Sequence, residues 1–256
     1  MIIPKFIFLV PYRNREQHKL HFDIYMKYLL EDYNTNDYKI FFVHQCDKRP
    51  FNRGGIKNIG FLVIKDLYPN DYKNINIIFN DVDTVPSQKN LLNYDTTHGT
   101  IKHYFGFKHV LGGIFSIKGS DFEKTKGFPN LWGWGLEDNE MINRAKNSNL
   151  KIDYSNFYNI HDKNIININT NNNKKLLSLQ DTWYYKENML DNINDIKNLK
   201  YDINDNIINV YNFDTKINYQ NNNYKYEELK NNKIQLNKNY IPRDTKAYKF
   251  NKFNYK

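Results

Sequence analysis

The stretch Ile75-Asn76-Ile77-Ile78-Phe79-Asn80-Asp81-Val82-Asp83 decides how this chain folds. Ile75 to Phe79 reads as a strand, an apolar run of the kind that parallel sheets bury on both faces. Two carboxylates follow it at once. In an extended segment residues i and i+2 face the same way, so Asp81 and Asp83 are expected to approach one cation. A hard divalent ion held by one or two carboxylates completes its shell with diphosphate oxygens, and it would neutralise charge on a departing nucleotide diphosphate. Asp is also a common turn residue, so Asp-x-Asp alone fits a polar loop equally well. Its place directly after a buried strand favours the cation.

Towards the N-terminus, Ile2 to Pro11 reads as a buried strand. Phe22, Tyr25, Met26, Leu29 and Leu30 then recur at helical spacing, which predicts an amphipathic helix over His18 to Glu31. Tyr38 to His44 is a second apolar strand. Asn52 is placed to cap a helix over Arg53 to Asp66, with Ile56, Ile59, Gly60 and Val63 inward. Strand, helix, strand, helix, strand is a nucleotide-binding half of an open α/β sheet, and such sheets bind ligands at the carboxyl ends of their strands. Pro11-Tyr12-Arg13-Asn14-Arg15 lies at that edge. Arg13 and Arg15 are expected to point to one side if extended, where guanidinium forks suit phosphate or stack on a base. Phe51-Asn52-Arg53 follows the second strand. Phe51 offers a face for a uracil ring, although for Phe51 alone core packing is the stronger reading.

Towards the C-terminus, Leu111 to Ile117 is a strand opened by Gly112-Gly113. Gly127 to Leu136 is a Gly/Trp-rich loop whose glycines permit the backbone changes that a substrate lid requires. Its indole faces suit the C–H faces of a sugar ring. Glu137 and Asp138 open a predicted helix over Glu137 to Asn147. They complement its dipole and, beside this loop, are candidates for catalysis. Tyr154 to His161 reads as extended, Leu176 to Leu199 as helical and Ile207 to Ile217 as a strand. Residues after about Tyr219 read as a loosely ordered tail.

Composition restricts the partners and the compartment. The 256 residues are enough for a sizeable core. Net charge is +9, with the lysines dispersed rather than blocked, which describes a solvated basic surface able to attract an anionic nucleotide more than a nucleic-acid site. Cys46 is the only cysteine, so no intrachain disulfide forms and a reducing compartment is expected. The Phe6 to Val10 run is far too short for a membrane span. A soluble, cytoplasmic protein is the resulting expectation.

Taken in order, Val10-Pro11-Tyr12-Arg13-Asn14-Arg15-Glu16-Gln17-His18, Phe51-Asn52-Arg53, Asn58-Ile59-Gly60-Phe61, Asp81-Val82-Asp83, Gly112-Gly113 and Gly127-Phe128-Pro129 through Gly133-Trp134-Gly135-Leu136-Glu137-Asp138 resemble the β-1,4-galactosyltransferase family, glycosyltransferase family 7. The resemblance runs from about Phe6 to His161. It implies a GT-A fold, a UDP-sugar donor, a glycan acceptor, Mn²⁺ and inversion at the anomeric carbon. By the same resemblance Pro11, Arg13, Arg15, Phe51 and Arg53 would hold the UDP, with Asp81 and Val82 on its nucleotide side. Asp83 and His161 would ligate the metal. Gly113 and Trp134 would approach the donor phosphate and sugar. Glu137 would orient the sugars and Asp138 would be the base. A catalytic domain over residues 1–219 and an Asn/Lys/Tyr-rich extension over 220–256 follow.

Three positions depart from the family pattern. Tyr158 stands where many members carry a metal ligand. Val110 replaces a Tyr associated with galactose selectivity, so N-acetylgalactosamine is compatible as donor. Leu136 replaces a lid glycine. Two other readings compete: a GT-A enzyme of the polypeptide N-acetylgalactosaminyl or chondroitin-synthase type, and a non-catalytic basic protein binding sugar or nucleic acid.

Overall fold

A computed structural model describes residues 2–168 and 190–216 in full, and the backbone of 174–178 and 224–228. The chain opens with β1 (Phe6–Tyr12), α1 (Glu16–Leu29), β2 (Tyr38–Gln45), α2 (Arg53–Leu67) and β3 (Asn76–Asn80). β1 pairs in parallel with both β2 and β3, as the alternation of strands and helices predicts. The period-2 alternation of the strands divides the core between two faces. Ile7, Leu9, Phe41, Val43, Ile77 and Phe79 meet Ile56, Ile59 and Val63 of α2. Phe6, Phe8, Val10, Phe42 and Ile78 meet Phe22, Met26 and Leu29 of α1.

β4 (Thr84–Pro86), β5 (Thr100–Gly106) and β6 (Ile114–Lys118) follow, then α3 (Gly119–Lys124), α4 (Glu137–Asn147), β7 (Lys151–Asp153), β8 (Tyr158–Asn159) and β9 (Ile165–Asn167). β6 runs antiparallel to β3 and β5. Near the end of the chain come β10 (Lys174–Ser178), β11 (Lys197–Asn204), β12 (Ile207–Asp214) and β13 (Tyr224–Glu228). β12 adds in parallel to β2, so the mixed central sheet has the order β11-β12-β2-β1-β3-β6-β5-β7, with β8 also on β5.

Several expectations need correction. Ile2 and Ile3 are exposed and precede β1 rather than belonging to it. Leu176 to Leu199 is not one helix. Its first residues lie in β10, which pairs with β13. Its end holds only a 3₁₀ turn over Ile193–Asp195 and the start of β11. That turn is closed by a capping box in which Asn192 and Asp195 bond each other's backbone, a local alternative to continued helix. Residues 179–189 lie outside the described part. The tail expected after Tyr219 contains the strand β13, and its remainder is likewise outside. Tyr154 to His161 is mostly turn, with only Tyr158–Asn159 in a strand. Among the described residues no helix is long and apolar enough to cross a membrane.

Candidate active site

The carboxyl edge of β3 carries a tight turn rather than an extended pair. Thr84 donates its backbone N–H (3.2 Å) and its hydroxyl (3.1 Å) to the Asp81 carbonyl. The buried Asn80 amide clamps the same turn, donating to the carbonyls of Asp81 at 2.9 Å and Thr84 at 2.8 Å. Asp81 and Asp83 therefore approach each other through turn geometry and not through strand alternation. Burial first, then the Asp81 charge, pushes the Asp83 carboxyl up, while Arg15, Arg53 and His18 oppose the rise. A half-buried carboxylate beside a second one is a setting that a divalent cation relieves. Asp83 fits such an ion.

The Asp81 carboxylate turns towards α2. Asn52 caps that helix by accepting from the Gly55 N–H at 2.8 Å, and so fixes its first turn. Arg53 projects from this turn. Its Nη2 meets Asp81 at 2.6 and 2.8 Å, while its Nη1 meets Glu137 at 2.8 Å and both Asp138 oxygens at 2.9 Å. One guanidinium thus spans from the β3 turn to the start of α4. Lys57, one helical turn on and buried, places Nζ 3.3 Å from Asp138 Oδ1. Burial works against ionisation of Asp138, but Arg53 and Lys57 more than offset it and hold this carboxyl below its usual range. Burial and then the Asp138 charge push Glu137 up. Adjacent carboxyls are thereby driven apart, the pattern by which neighbouring acids take different roles.

Gly112 and Gly113 lie beside this cluster. A Cβ on Gly112 would overlap Oδ2 of Asp138. The Leu111 N–H donates to the Asp138 carbonyl at 2.9 Å. Gly113 adopts φ +67° and its carbonyl accepts from the Asp81 N–H at 3.1 Å, so this glycine packs against the β3 turn.

The Gly/Trp loop is pinned at its base by buried amides. Asn58 donates to the Phe128 carbonyl and to Asn130 Oδ1, both at 2.8 Å, and accepts from the Phe128 N–H at 2.9 Å. Asn130 donates to the buried Asp191 through its N–H at 2.9 Å and its side-chain amide at 3.1 Å. Its two indoles diverge. Trp132 is fully buried, stacked on Phe213 of β12 at 5.1 Å, with the Arg49 guanidinium 4.4 Å from its ring. Trp134 is 44% exposed, where an incoming ring can meet it. Leu136 takes a left-handed conformation at φ +73° immediately before α4.

Arg13 and Arg15 do not extend to one side. The strand ends at Tyr12, and Asn14 at φ +48° turns the chain. Arg13 pairs with Asp47 at 3.6 Å and donates to the Arg49 carbonyl, whereas Arg15 lies close enough to lower Asp83. Pro11 is buried in β1, Val82 is buried in the turn, and Phe51 is only partly buried against the core. The Phe51 carbonyl accepts from the Gly133 N–H at 3.2 Å, tying the loop to α2's approach. His161 lies just beyond β8 at φ +73°, and the chain then returns to the turn after β3, where the Ile168 N–H donates to the Asp83 carbonyl at 2.8 Å. Among the described residues no group of three His, Cys, Asp or Glu converges as a metal-holding set. Two contributors escaped the sequence reading. Lys57 lies four residues after Arg53 and hence on its helix face, which was the available signal. Asp191 is remote in sequence and had none.

A family model described as the N-terminal region of glycosyl transferase group 7 matches residues 3–95, and one described as the N-terminal domain of galactosyltransferase matches residues 96–167. The chain belongs to glycosyltransferase family 7. Its family 7 relatives include β-1,4-galactosyltransferase 7 of Drosophila melanogaster, 32% identical over 160 residues, covering 59% of this chain and 47% of the relative. Human β-1,4-galactosyltransferase 4 is 31% identical over 157 residues, covering 56% and 43%. The chain thus spans somewhat under half the length of these relatives. Among solved structures, the catalytic domain of the Drosophila galactosyltransferase 7 in complex with xylobiose superposes with a TM-score of 0.61 at 23% identity, covering 82% of this chain and 94% of that one. A variant of that enzyme in complex with manganese, UDP-Gal and xylobiose gives 0.62 over the same shares. These likenesses establish the GT-A fold of the chain.

Proposed function

We propose that this family 7 chain is a metal-dependent inverting glycosyltransferase that moves galactose, or N-acetylgalactosamine or a related hexose, from a UDP-sugar to a hydroxyl of a carbohydrate acceptor. The observation that carries the reading is the span of Arg53. By joining Asp81 to Asp138 it sets the metal-side turn and the candidate base within one guanidinium of each other. A donor sugar has to fit between such groups for single displacement.

Asp83 and His161 would contribute the protein ligands to Mn²⁺, with diphosphate oxygens completing the shell. When bound, the ion offsets the charge that develops on the leaving nucleotide diphosphate. Arg13, Arg15 and Arg53 would hold the UDP, alongside Pro11, Phe51, Asp81 and Val82. Gly113 and the exposed Trp134 would flank the phosphate and sugar, and Glu137 would orient the sugars. Asp138 would take the proton from the acceptor oxygen as that oxygen attacks opposite the departing UDP, giving a β-linked product from an α-linked donor. Val110, half-buried before Leu111, is smaller than the tyrosine of the family pattern, so N-acetylgalactosamine would be compatible as donor. The Drosophila enzyme's complexes with UDP-Gal, manganese and xylobiose support the donor, ion and acceptor classes.

The test is UDP release with Mn²⁺ across UDP-galactose, UDP-N-acetylgalactosamine and UDP-glucose, each offered with simple saccharides. Acceptor-dependent release with one donor, and a β-linked product by NMR, is the expected result. No acceptor-dependent release with any pair would refute the reading.

A further inference from the structure

Lys57 takes no part in the family motifs, yet its side chain is only 1% exposed at the centre of the acidic cluster. Its Nζ lies 3.3 Å from Asp138 Oδ1, 4.0 Å from Asp81 Oδ1 and 4.5 Å from the Phe128 ring centroid. An ammonium so enclosed persists only where opposite charge replaces water. The groups facing it are Arg53 on its own helix, Asp81 on the β3 turn and Glu137 and Asp138 on α4, with Phe128 from the base of the loop. On the Asp138 side, His103 of β5 also senses that carboxylate and is kept neutral by its burial. Three carboxylates therefore share two cations. Arg53 divides its donors among all three acids, whereas the shorter contact of Lys57 goes to Asp138.

We propose that Lys57 is a positioning residue for the transfer reaction, whose enclosed ammonium keeps the Asp138 carboxylate ionised and aimed while Arg53 is shared with Asp81 and Glu137. The proposal rests on the transferase reading of this site. If Arg53 turns to the nucleotide when donor binds, Lys57 is the cation that stays with the base. The Asp138 direction agrees, since Arg53 and Lys57 hold that carboxyl low despite its own burial. The burial of Lys57 and the nearby Arg53 pull its ammonium down, and the three carboxylates oppose that pull.

Two readouts on the full chain test this. The first is the ¹³C carboxyl titration of Asp138, assigned with Asp138→Asn. The second is the pH profile of kcat/KM for sugar transfer. In Lys57→Met both the titration midpoint and the acid limb should rise by about one pH unit, the low end of what an opposite charge at this distance does to a carboxyl. Donor KM should stay unchanged, and Lys57→Arg should restore part of the shift. If Lys57→Met does not fold, Lys57→Gln carries the same readings without the charge. An unmoved Asp138 midpoint in a folded, active Lys57 variant would overturn the role of Lys57 alone. A wild-type protein that transfers no sugar, whatever the titration does, would overturn the transferase reading and the role of Lys57 with it.

Discussion

No β-carbon fits on Gly112, because Oδ2 of Asp138 already occupies the place where one would stand. The candidate base is thus seated against bare backbone. Replacing Gly112 with Ala should displace the Asp138 carboxylate by about an ångström, and misplacement of that size costs on the order of 10²-fold in rate. Calorimetric UDP binding with Mn²⁺ should survive in this variant. A Gly112→Ala protein with undiminished transfer would show that Asp138 need not sit where it does.

Removing the basic oxygen without moving it is the complementary experiment. Asp138→Asn should lower transfer by at least the ~10²–10⁴-fold that general-base help supplies. Initial rates at saturating donor and UDP binding by calorimetry separate chemistry from affinity. Turnover comparable to wild type would defeat the base assignment.

Asp83→Ala should weaken UDP binding in the presence of Mn²⁺ and leave the much weaker metal-free binding alone. The difference between titrations with and without Mn²⁺ is the quantity to read. An equal loss in both would assign Asp83 to the nucleotide and not to the ion.

Leu136 stands in the left-handed region at φ +73°, where a Cβ crowds the following carbonyl. Leu136→Gly should relieve roughly 1 kcal/mol of that strain and raise the melting temperature by a few degrees. A lower melting temperature would mean that the half-buried leucine side chain contributes more than its backbone costs.

His103 predicts a loss of stability on acidification. Burial pulls its pKa down to about 4, although the carbonyls of Gly112 and Phe105, each accepting from Nε2 at 3.0 Å, oppose the shift. The unfolded chain, titrating near 6.5, binds the proton more readily, so stability is complete above that value. It falls as pH drops from about 6.5 towards about 4. Between pH 7 and pH 5 this one group should remove about 2 kcal/mol. Urea denaturation at the two pH values measures it, and His103→Gln should flatten the difference.

The β1-α1-β2-α2-β3 half was legible because β1 and β3 are continuous apolar runs buried on both faces and α1 buries Phe22, Met26 and Leu29 on one stripe. Pattern and burial coincide there, whereas α2 is buried on nearly every side and shows its period less cleanly. The boundaries of α4 were read to the residue, since an acidic first turn and Met141, Ile142 and Ala145 mark one helix face. β5 went unread although it is paired on both sides, by β6 and by β7 and β8: Lys102, His103 and Tyr104 look polar or mixed in sequence, yet His103 and Tyr104 are buried by their neighbours. The divergence of Arg13 and Arg15 depends on Asn14 adopting φ +48°, which no period encodes. Lys57 was missed for a related reason. A lysine between Ile56 and Asn58 reads as a solvated position unless the carboxylates that enclose it, 24 and 81 residues further on, are already placed.

The stacking of Trp132 on Phe213 has a consequence for how the molecule is made. Every signature residue of the family has left the ribosome by His161, but the indole that fixes the loop stays uncovered until β12 emerges some fifty residues later. The candidate site residues are therefore complete in synthesis well before their surroundings are complete in space. A chain cut after residue 168 would keep every candidate site residue and still present the Trp132 ring to water, a sticky nascent surface where the folded chain has a buried stack.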